Sequence, residues 1–238
     1  MSERIAHQKA SGETEPRSQL QPFRGFLSPG IAFESGHTVW LFRFTETPLP
    51  VEWYYAVWLE SPAGDLTLYL DPADASGFAP SYHQFDHIVG ATIDWHEVDF
   101  DTVAVSMEAA DGTTLSLHAT LASTVGTRVM EVLARVTPSR VQRSALGAKI
   151  SSTLLNLLVP SNGLKLLGRT ETGAGYWAEA KSLRAVRDVS ATLDGIDLGR
   201  QVPGAANRYY GDVKTVRDPF VVFGALHLEY PVPGQLER

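Results

Sequence analysis

The chain has 238 residues, of which 44% are hydrophobic and 20% charged, and its formal net charge at pH 7 is −7. This length and composition suit a single globular domain with a substantial core. The lack of cysteine excludes disulfides, zinc–thiolate sites and thiol nucleophiles. The acidic balance disfavours a surface dominated by nucleic-acid binding.

The N-terminal residues 1–22 are predicted to form a flexible tail, and residues 23–238 a single domain. The tail contains no apolar run of the length that a secretory signal needs, and nowhere do 18 apolar residues follow one another. We therefore expect a cytoplasmic protein.

Aromatic and β-branched residues dominate residues 38–45 (TVWLFRFT) and 51–60 (VEWYYAVWLE), which predicts two strands. The second strand is bulky on both faces, so both faces must be covered, either by packed elements or by a bound hydrophobic ligand. Residues 52–61 (EWYYAVWLES), followed by a glycine-containing turn, resemble an early strand of lipocalin-like hydratases. The candidate ligand-binding residues are Trp40, Trp53, Tyr55, Trp58 and Trp95.

Three of the seven histidines fall in residues 81–97 (SYHQFDHIVGATIDWHE). Imidazoles beside carboxylates can transfer protons, or they can be hydrogen-bonded residues of a loop, which is the simpler interpretation. Their spacing matches no established metal motif, so we predict no metal site. The candidate acid and base groups are His83, Asp86, His87 and His96.

Downstream, alternating apolar residues on either side of Asp111-Gly112 predict a hairpin with a tight turn. A second such dipeptide, Asp194-Gly195, follows a predicted strand at 183–193, and residues 168–182 are predicted to form a hairpin. A last strand covers residues 219–230. The predicted fold class is mostly β (α+β), an antiparallel β-barrel or a strongly curved sheet.

Residues 124–160 interrupt this pattern with apolar residues at helical spacing, which predicts an inserted helical hairpin. The overlapping segment 128–169 has seven Lys or Arg residues against one acid, Glu131, and so carries a net charge of +6. A basic, leucine-rich helix can lie on an anionic membrane surface, or it can cap the core with a solvated basic face.

The sequence contains no nucleophile elbow, phosphate-binding loop or cofactor-binding motif. The function we predict is binding of a small hydrophobic molecule, such as a lipid, isoprenoid or polyketide, in a β-barrel cavity without a cofactor. One alternative is a cofactor-independent lyase or isomerase that uses the His and Asp residues on such a ligand. In either case the helical insertion would act as a lid or docking surface, and residues 128–169 could contact an anionic membrane. Another alternative is an interaction domain whose basic insertion contacts an acidic protein.

Overall fold

The computed structural model describes residues 20–99, 101–136, 145–158, 165–204, 209–210, 212–214 and 218–229. Most of them lie in strands, as the sequence predicts. The strands are β1 Leu20–Ala32, β2 Thr38–Glu46, β3 Tyr54–Glu60, β4 Leu66–Asp71, β5 His87–Val98, β6 Thr102–Ala109, β7 Thr114–Ala122, β8 Leu167–Arg169, β9 Gly175–Leu193, β10 Ile196–Asp197, β11 Tyr209–Tyr210, β12 Val213–Lys214 and β13 Phe220–Glu229. Residues 1–19 of the predicted tail lie outside the described ranges, and β1 begins at Leu20.

Within these ranges, one large curved sheet has the strand order β10-β9-β13-β1-β2-β3-β4-β5-β6-β7, with β8 paired to β9. Strand β9 is 19 residues long. Its first part pairs with β13 and its last part with β7. The nine strands from β9 through β13 and β1 to β7 therefore form a path that returns to β9, which we call the returning path.

The hairpin predicted around Asp111-Gly112 is confirmed. Strands β6 and β7 pair antiparallel from Thr102↔Thr120 to Glu108↔Thr114. Gly112 has a positive φ of 90°, and the Thr113 N–H donates to the Asp111 carboxylate over 2.9 Å. The predicted hairpin at 168–182 is also confirmed, since β8 pairs with the start of β9.

Strands β4 and β5 pair in parallel, from Thr67↔His87 to Leu70↔Gly90, although the predicted sheet is antiparallel. The loop interpretation of residues 81–97 is wrong from His87 onward, because His87–Val98 form β5. Parallel neighbours cannot be joined by a tight turn and need a crossover. Residues 72–86 form this crossover, with short 3-10 helices at Ala73–Gly77 and Ala79–Ser81. We call residues 72–86 the cover segment.

Strands β2 and β3 separate two apolar layers, one on each face of the sheet. The first layer is built from all nine strands of the returning path, and its fully buried members include Phe26, Leu41, Val57, Met107 and Leu117. The second layer lies between β1–β4 and the cover segment, and its members include Phe23, Trp40, Phe42, Trp58 and Phe78. Burial of both faces of β3 is what its bulky sequence predicts.

Two helices, α1 Val125–Val136 and α2 Ala145–Leu158, occupy the predicted insertion, and residues 137–144 between them lie outside the described ranges. Helix α1 packs Met130 and Leu133 against Leu183 and Phe220 of the sheet. The Glu131 carboxylate accepts hydrogen bonds from Ser182 and Arg184 of β9. Burial alone would raise the pKa of Glu131, but these two donors bring it below its ordinary value.

Neither described helix has the length and apolarity that crossing a membrane requires.

Glycines allow a close approach of β1 to β2 and of β13 to β9. Gly25 pairs directly with Gly224, and each lies at a register shift of its strand. A Cβ atom on Gly25 would lie 2.0 Å from the Arg43 carbonyl oxygen, and one on Gly224 would lie 2.0 Å from that of Glu179. Backbone atoms cannot yield as a flexible side chain would, so these two positions require glycine.

We predict that Gly224→Ala lowers the free energy of unfolding by about 1–3 kcal/mol, because the added methyl group forces β9 and β13 apart. The control is Gly77→Ala, since a Cβ atom there meets nothing within 4 Å, and we expect it to stay within about 0.5 kcal/mol of the parent. Urea denaturation followed by circular dichroism measures both. Equal midpoints for the two variants would contradict the prediction.

Candidate functional site

A cavity of about 140 Å³ lies in the second apolar layer, between the sheet and the cover segment. Its walls come from β1, β2, β3, β9, β13, the cover segment and residues 165–170. The lining residues are almost all apolar or aromatic: Phe23, Leu27, Pro29, Trp40, Phe42, Phe44, Tyr54, Trp58, Phe78, Ala79, Tyr82, His83, Phe85, Lys165, Leu166, Thr170, Tyr176, Ala178, Ala180, Leu183, Phe220, Val222, Ala225, Leu226 and Leu228.

The alternation of β2 and β3 determines which aromatic rings reach the cavity. Trp40, Phe42 and Phe44 share one face of β2, and Tyr54 and Trp58 lie on the same side of β3. The Phe42 and Trp58 ring centroids are 4.6 Å apart. The sheet therefore supplies a continuous aromatic wall.

The cover segment closes the cavity with aromatic side chains of its own. Phe78 packs against Phe23, with ring centroids 5.2 Å apart, and against Tyr54 at 5.8 Å. Phe78, Tyr82 and Phe85 line the cavity from this side.

Hydrogen bonds hold the cover segment at three points. The Tyr82 hydroxyl donates to the Glu229 carbonyl oxygen over 2.9 Å, and the Thr172 hydroxyl donates to the Ser81 carbonyl oxygen over 2.7 Å. At the end of the segment, the Leu66 N–H donates to the Asp86 carboxylate over 2.7 Å. These bonds tie it to β13, to the turn before β9 and to β4.

Among the residues that the structure describes, His83 is the one histidine that lines the cavity, and only 9% of its surface is exposed. Its ring meets that of Trp58 edge to face, with centroids 4.5 Å apart. Burial lowers the pKa of His83 from 6.5 to about 3, so the imidazole is neutral at pH 7. Its Nδ1 atom lies 3.8 Å from Oε1 of Glu171, whose carboxylate accepts a hydrogen bond from the Gln84 N–H.

Tyrosine and lysine complete the polar part of the lining. The Tyr176 hydroxyl donates to the Lys165 carbonyl oxygen over 3.0 Å, and burial raises the pKa of Tyr176 and of Tyr54 above their ordinary values. The Lys165 ammonium group is paired with Asp212, and about half of the lysine side chain is exposed. The Lys165 end of the cavity therefore reaches the protein surface.

The other three predicted acid and base residues lie away from the cavity. Asp86 and His87 are exposed at the start of β5, and Asp86 is used in the bond to Leu66. His96 is exposed near the end of the same strand, where its Nε2 atom lies 2.7 Å from the Ser106 hydroxyl. Nine residues of extended chain span roughly 30 Å, so His87 and His96 cannot act on one substrate atom. In the ranges described, no three potential metal-ligating side chains come together.

The five predicted ligand-binding residues divide between the two faces of the sheet. Trp40 and Trp58 line the cavity. Tyr55 and Trp95 pack on the first apolar layer, on the opposite face, and Trp53 stacks on Tyr55 and is 37% exposed. The parity of β3 explains why Tyr55 and Trp58 lie on opposite faces, because successive side chains of a strand alternate between the two faces.

Sequence reasoning missed Glu171 and the aromatic residues of the cover segment. Glu171 is 88 positions from His83 along the chain, and no local pattern connects them. The aromatic residues Phe78, Tyr82 and Phe85 are a signal that the sequence did contain, because large aromatic side chains dominate protein cores and binding sites.

Comparisons with known proteins returned no match: no family model fits the chain, and neither a characterised protein nor a solved structure resembles it significantly.

The neutral state of His83 predicts a dependence of stability on pH. Its folded-state pKa of about 3 lies below its ordinary value of 6.5, so the unfolded chain takes up the proton first as the pH falls. The contribution of the neutral imidazole to the free energy of unfolding is complete above about pH 6.5 and is lost progressively as the pH falls toward 3.

We predict that the parent loses about 2 kcal/mol more than His83→Gln between pH 7 and pH 5, because each pKa unit corresponds to about 1.4 kcal/mol. Urea unfolding at a series of pH values measures this difference. His96→Gln, at an exposed histidine, should follow the parent. Parallel curves for the parent and His83→Gln would show that His83 is not held neutral by burial.

Proposed function

We propose that the protein binds a small hydrophobic molecule in the cavity of the second apolar layer. The observation that carries this proposal is the lining, in which aromatic and aliphatic side chains from five strands and the cover segment surround about 140 Å³ of space. Closely packed interiors contain few voids of this size. An enclosed apolar space with few polar groups is the usual form of a small-molecule site.

The volume of the cavity limits the size of the ligand that it can hold. An apolar protein cavity of about 150 Å³ stays dry and takes up benzene, so this cavity suits one ring or a short hydrocarbon segment. A longer lipid, isoprenoid or polyketide-like ligand would place one such segment inside and extend outward past Lys165, at the end that reaches the surface.

His83 is suited to orient such a ligand. A neutral imidazole has one donor and one acceptor nitrogen, and it can therefore bond to a hydroxyl or carbonyl oxygen of the ligand. The surrounding rings of Trp58 and Phe85 favour an otherwise apolar molecule. One polar contact in an apolar cavity fixes orientation more than it adds affinity.

We also propose that the sheet acts as a closed β-barrel, and that α1 and α2 act as a helical lid beside the cavity. The pairing of β9 with both β13 and β7 supports closure. Helix α1 contacts Leu183 and Phe220, which also line the cavity. A displacement of α1 would therefore open one wall.

A second candidate function is acid–base catalysis on the same ligand, of the lyase or isomerase type. The 3.8 Å separation of His83 and Glu171 favours it, because a carboxylate can orient and charge an imidazole. The pKa of about 3 weighs against it, since an effective general base titrates near the working pH.

The variant His83→Gln distinguishes binding alone from catalysis. Catalysis by His83 requires that conversion of the bound molecule slow by about 10²- to 10⁴-fold. Binding alone requires that the affinity change little and that the ligand be recovered unaltered. Mass spectrometry of the ligand after incubation distinguishes these results.

We predict that toluene stabilises the protein saturably, by about 2.7 kcal/mol at a hundred times its dissociation constant. Ala178→Leu should abolish this effect, because the larger side chain fills the cavity that Ala178 lines. Ala63→Leu, in an exposed turn, is the matched control and should respond like the parent. Thermal unfolding with increasing toluene gives the measurement.

Two outcomes would contradict the proposal. One is the absence of any saturable stabilisation of the parent by toluene. The other is an unchanged response of Ala178→Leu when that variant has the circular dichroism spectrum of the parent, since the ligand would then bind elsewhere.

A further inference from the structure

A second group of aromatic rings lies on the opposite face of the sheet, at one end of the first apolar layer. The Trp95 ring meets the Phe26 ring with centroids 5.6 Å apart, and the Tyr55 ring with centroids 6.2 Å apart. Both contacts are edge to face. Arg43 lies between Phe26 and Tyr55, because it pairs with Phe26 of β1 on one side and with Tyr55 of β3 on the other.

Arg43 has no counter-ion in the described part of the chain. Its guanidinium carbon lies 5.7 Å from the centroid of the Tyr55 ring. Its Nε atom is buried and makes no hydrogen bond there. A half-buried cation is costly unless a carboxylate or another acceptor compensates it.

The acid nearest by strand pairing is already in use. Asp71 lies directly opposite Tyr55. One of its carboxylate oxygens accepts from the Trp53 indole N–H over 3.4 Å, and the other accepts from the Ile93 N–H over 3.1 Å. This arrangement holds Trp53 against Tyr55, with ring centroids 6.0 Å apart, and leaves Arg43 to another acceptor.

Two further donors accompany Arg43. Ser28 is fully buried, and its hydroxyl makes no hydrogen bond to the residues described. It shares a face with Arg43, since β1 and β2 pair Ser28 with Leu41 and Phe26 with Arg43. The Trp95 indole N–H is likewise buried without a partner in the described ranges. Such groups normally bind a water molecule or a ligand.

Part of this group of side chains reaches the protein surface. Arg43, Tyr55 and Trp95 are only partly buried, and Trp53 is 37% exposed. Contiguous, partly exposed aromatic rings around a polar centre are characteristic of binding surfaces.

We propose that these residues form a second binding site, for a carboxylate carried on a flat apolar body. Arg43 holds the carboxylate with help from the Ser28 hydroxyl and the Trp95 indole N–H. The rings of Phe26, Tyr55 and Trp95 contact the apolar body. A monoanion matches this donor set, because one guanidinium and two neutral donors compensate one charge, whereas a phosphate dianion would lose more hydration.

The site is independent of the cavity proposed above, because alternate residues of β2 and β3 separate the two. Phe42 and Phe44 face the cavity, while Arg43 faces the opposite layer.

Binding of 2-naphthoate and of its neutral analogue 2-naphthamide, followed by isothermal titration calorimetry, tests the proposal. We expect Arg43→Gln to weaken 2-naphthoate binding by about ten- to a hundredfold, the usual effect of losing a charge-assisted hydrogen bond. Weak binding of 2-naphthamide should not change. Arg43→Lys should lose less affinity for 2-naphthoate, because lysine keeps the positive charge but lacks the planar guanidinium group that can donate two hydrogen bonds to one carboxylate.

Trp95→Phe provides a second, conservative variant that keeps an aromatic ring and removes the indole N–H together with part of the ring surface. It should weaken 2-naphthoate binding by about two- to tenfold. The cavity-filling variant Ala178→Leu should bind 2-naphthoate like the parent, whatever its response to toluene. Failure of the toluene experiment and failure of this one are thereby distinguishable.

Three results would overturn the proposal. The first is no saturable binding of 2-naphthoate at millimolar concentration. The second is equal affinity of the parent and Arg43→Gln for 2-naphthoate, or an equal loss of affinity for 2-naphthoate and 2-naphthamide in that variant. The third is loss of 2-naphthoate binding in Ala178→Leu but not in Arg43→Gln, which would assign the anion to the cavity.

Discussion

The burial of strands β2 and β3 on both faces is the constraint on which the rest of the structure depends. Val39 and Leu41 pack into the first apolar layer, while the residues that alternate with them along β2, Trp40 and Phe42, pack into the second. Each fully buried large side chain contributes about 1.5–3 kcal/mol, so both layers stabilise the same strands. A sheet of this kind needs a covering structure on each side. For β2 and β3, the returning path of strands supplies one and the cover segment supplies the other, while α1 packs on β9 and β13.

The parallel pairing of β4 and β5 follows from that requirement and produces the candidate site. A crossover must leave the sheet and return, and here residues 72–86 pass over the face that carries Trp40 and Trp58. They bring His83 into the apolar wall, where burial keeps its imidazole neutral. The same alternation leaves Arg43 on the other face, among Phe26, Tyr55 and Trp95.

Much of this fold is predictable from local sequence. The alternation of Val103, Val105 and Met107 with polar residues, and the Asp111-Gly112 turn, predict a strand pair that the structure confirms. The parallel pairing was not predictable, because no local residue pattern encodes which distant strands become neighbours. For the same reason, only His83 of the four neighbouring candidate acid and base residues lines the cavity, and its neighbour Glu171 comes from the turn before β9.

The central claim, that the second face of the sheet encloses a site for a small hydrophobic molecule, is tested most directly by a crystal soaked in bromobenzene. Anomalous scattering from bromine locates the ligand. We predict one strong peak in the cavity, within contact distance of Trp58, His83 and Tyr176. A peak among Leu41, Val57 and Met107 on the other face, or no ordered bromine anywhere in the chain, would contradict the claim.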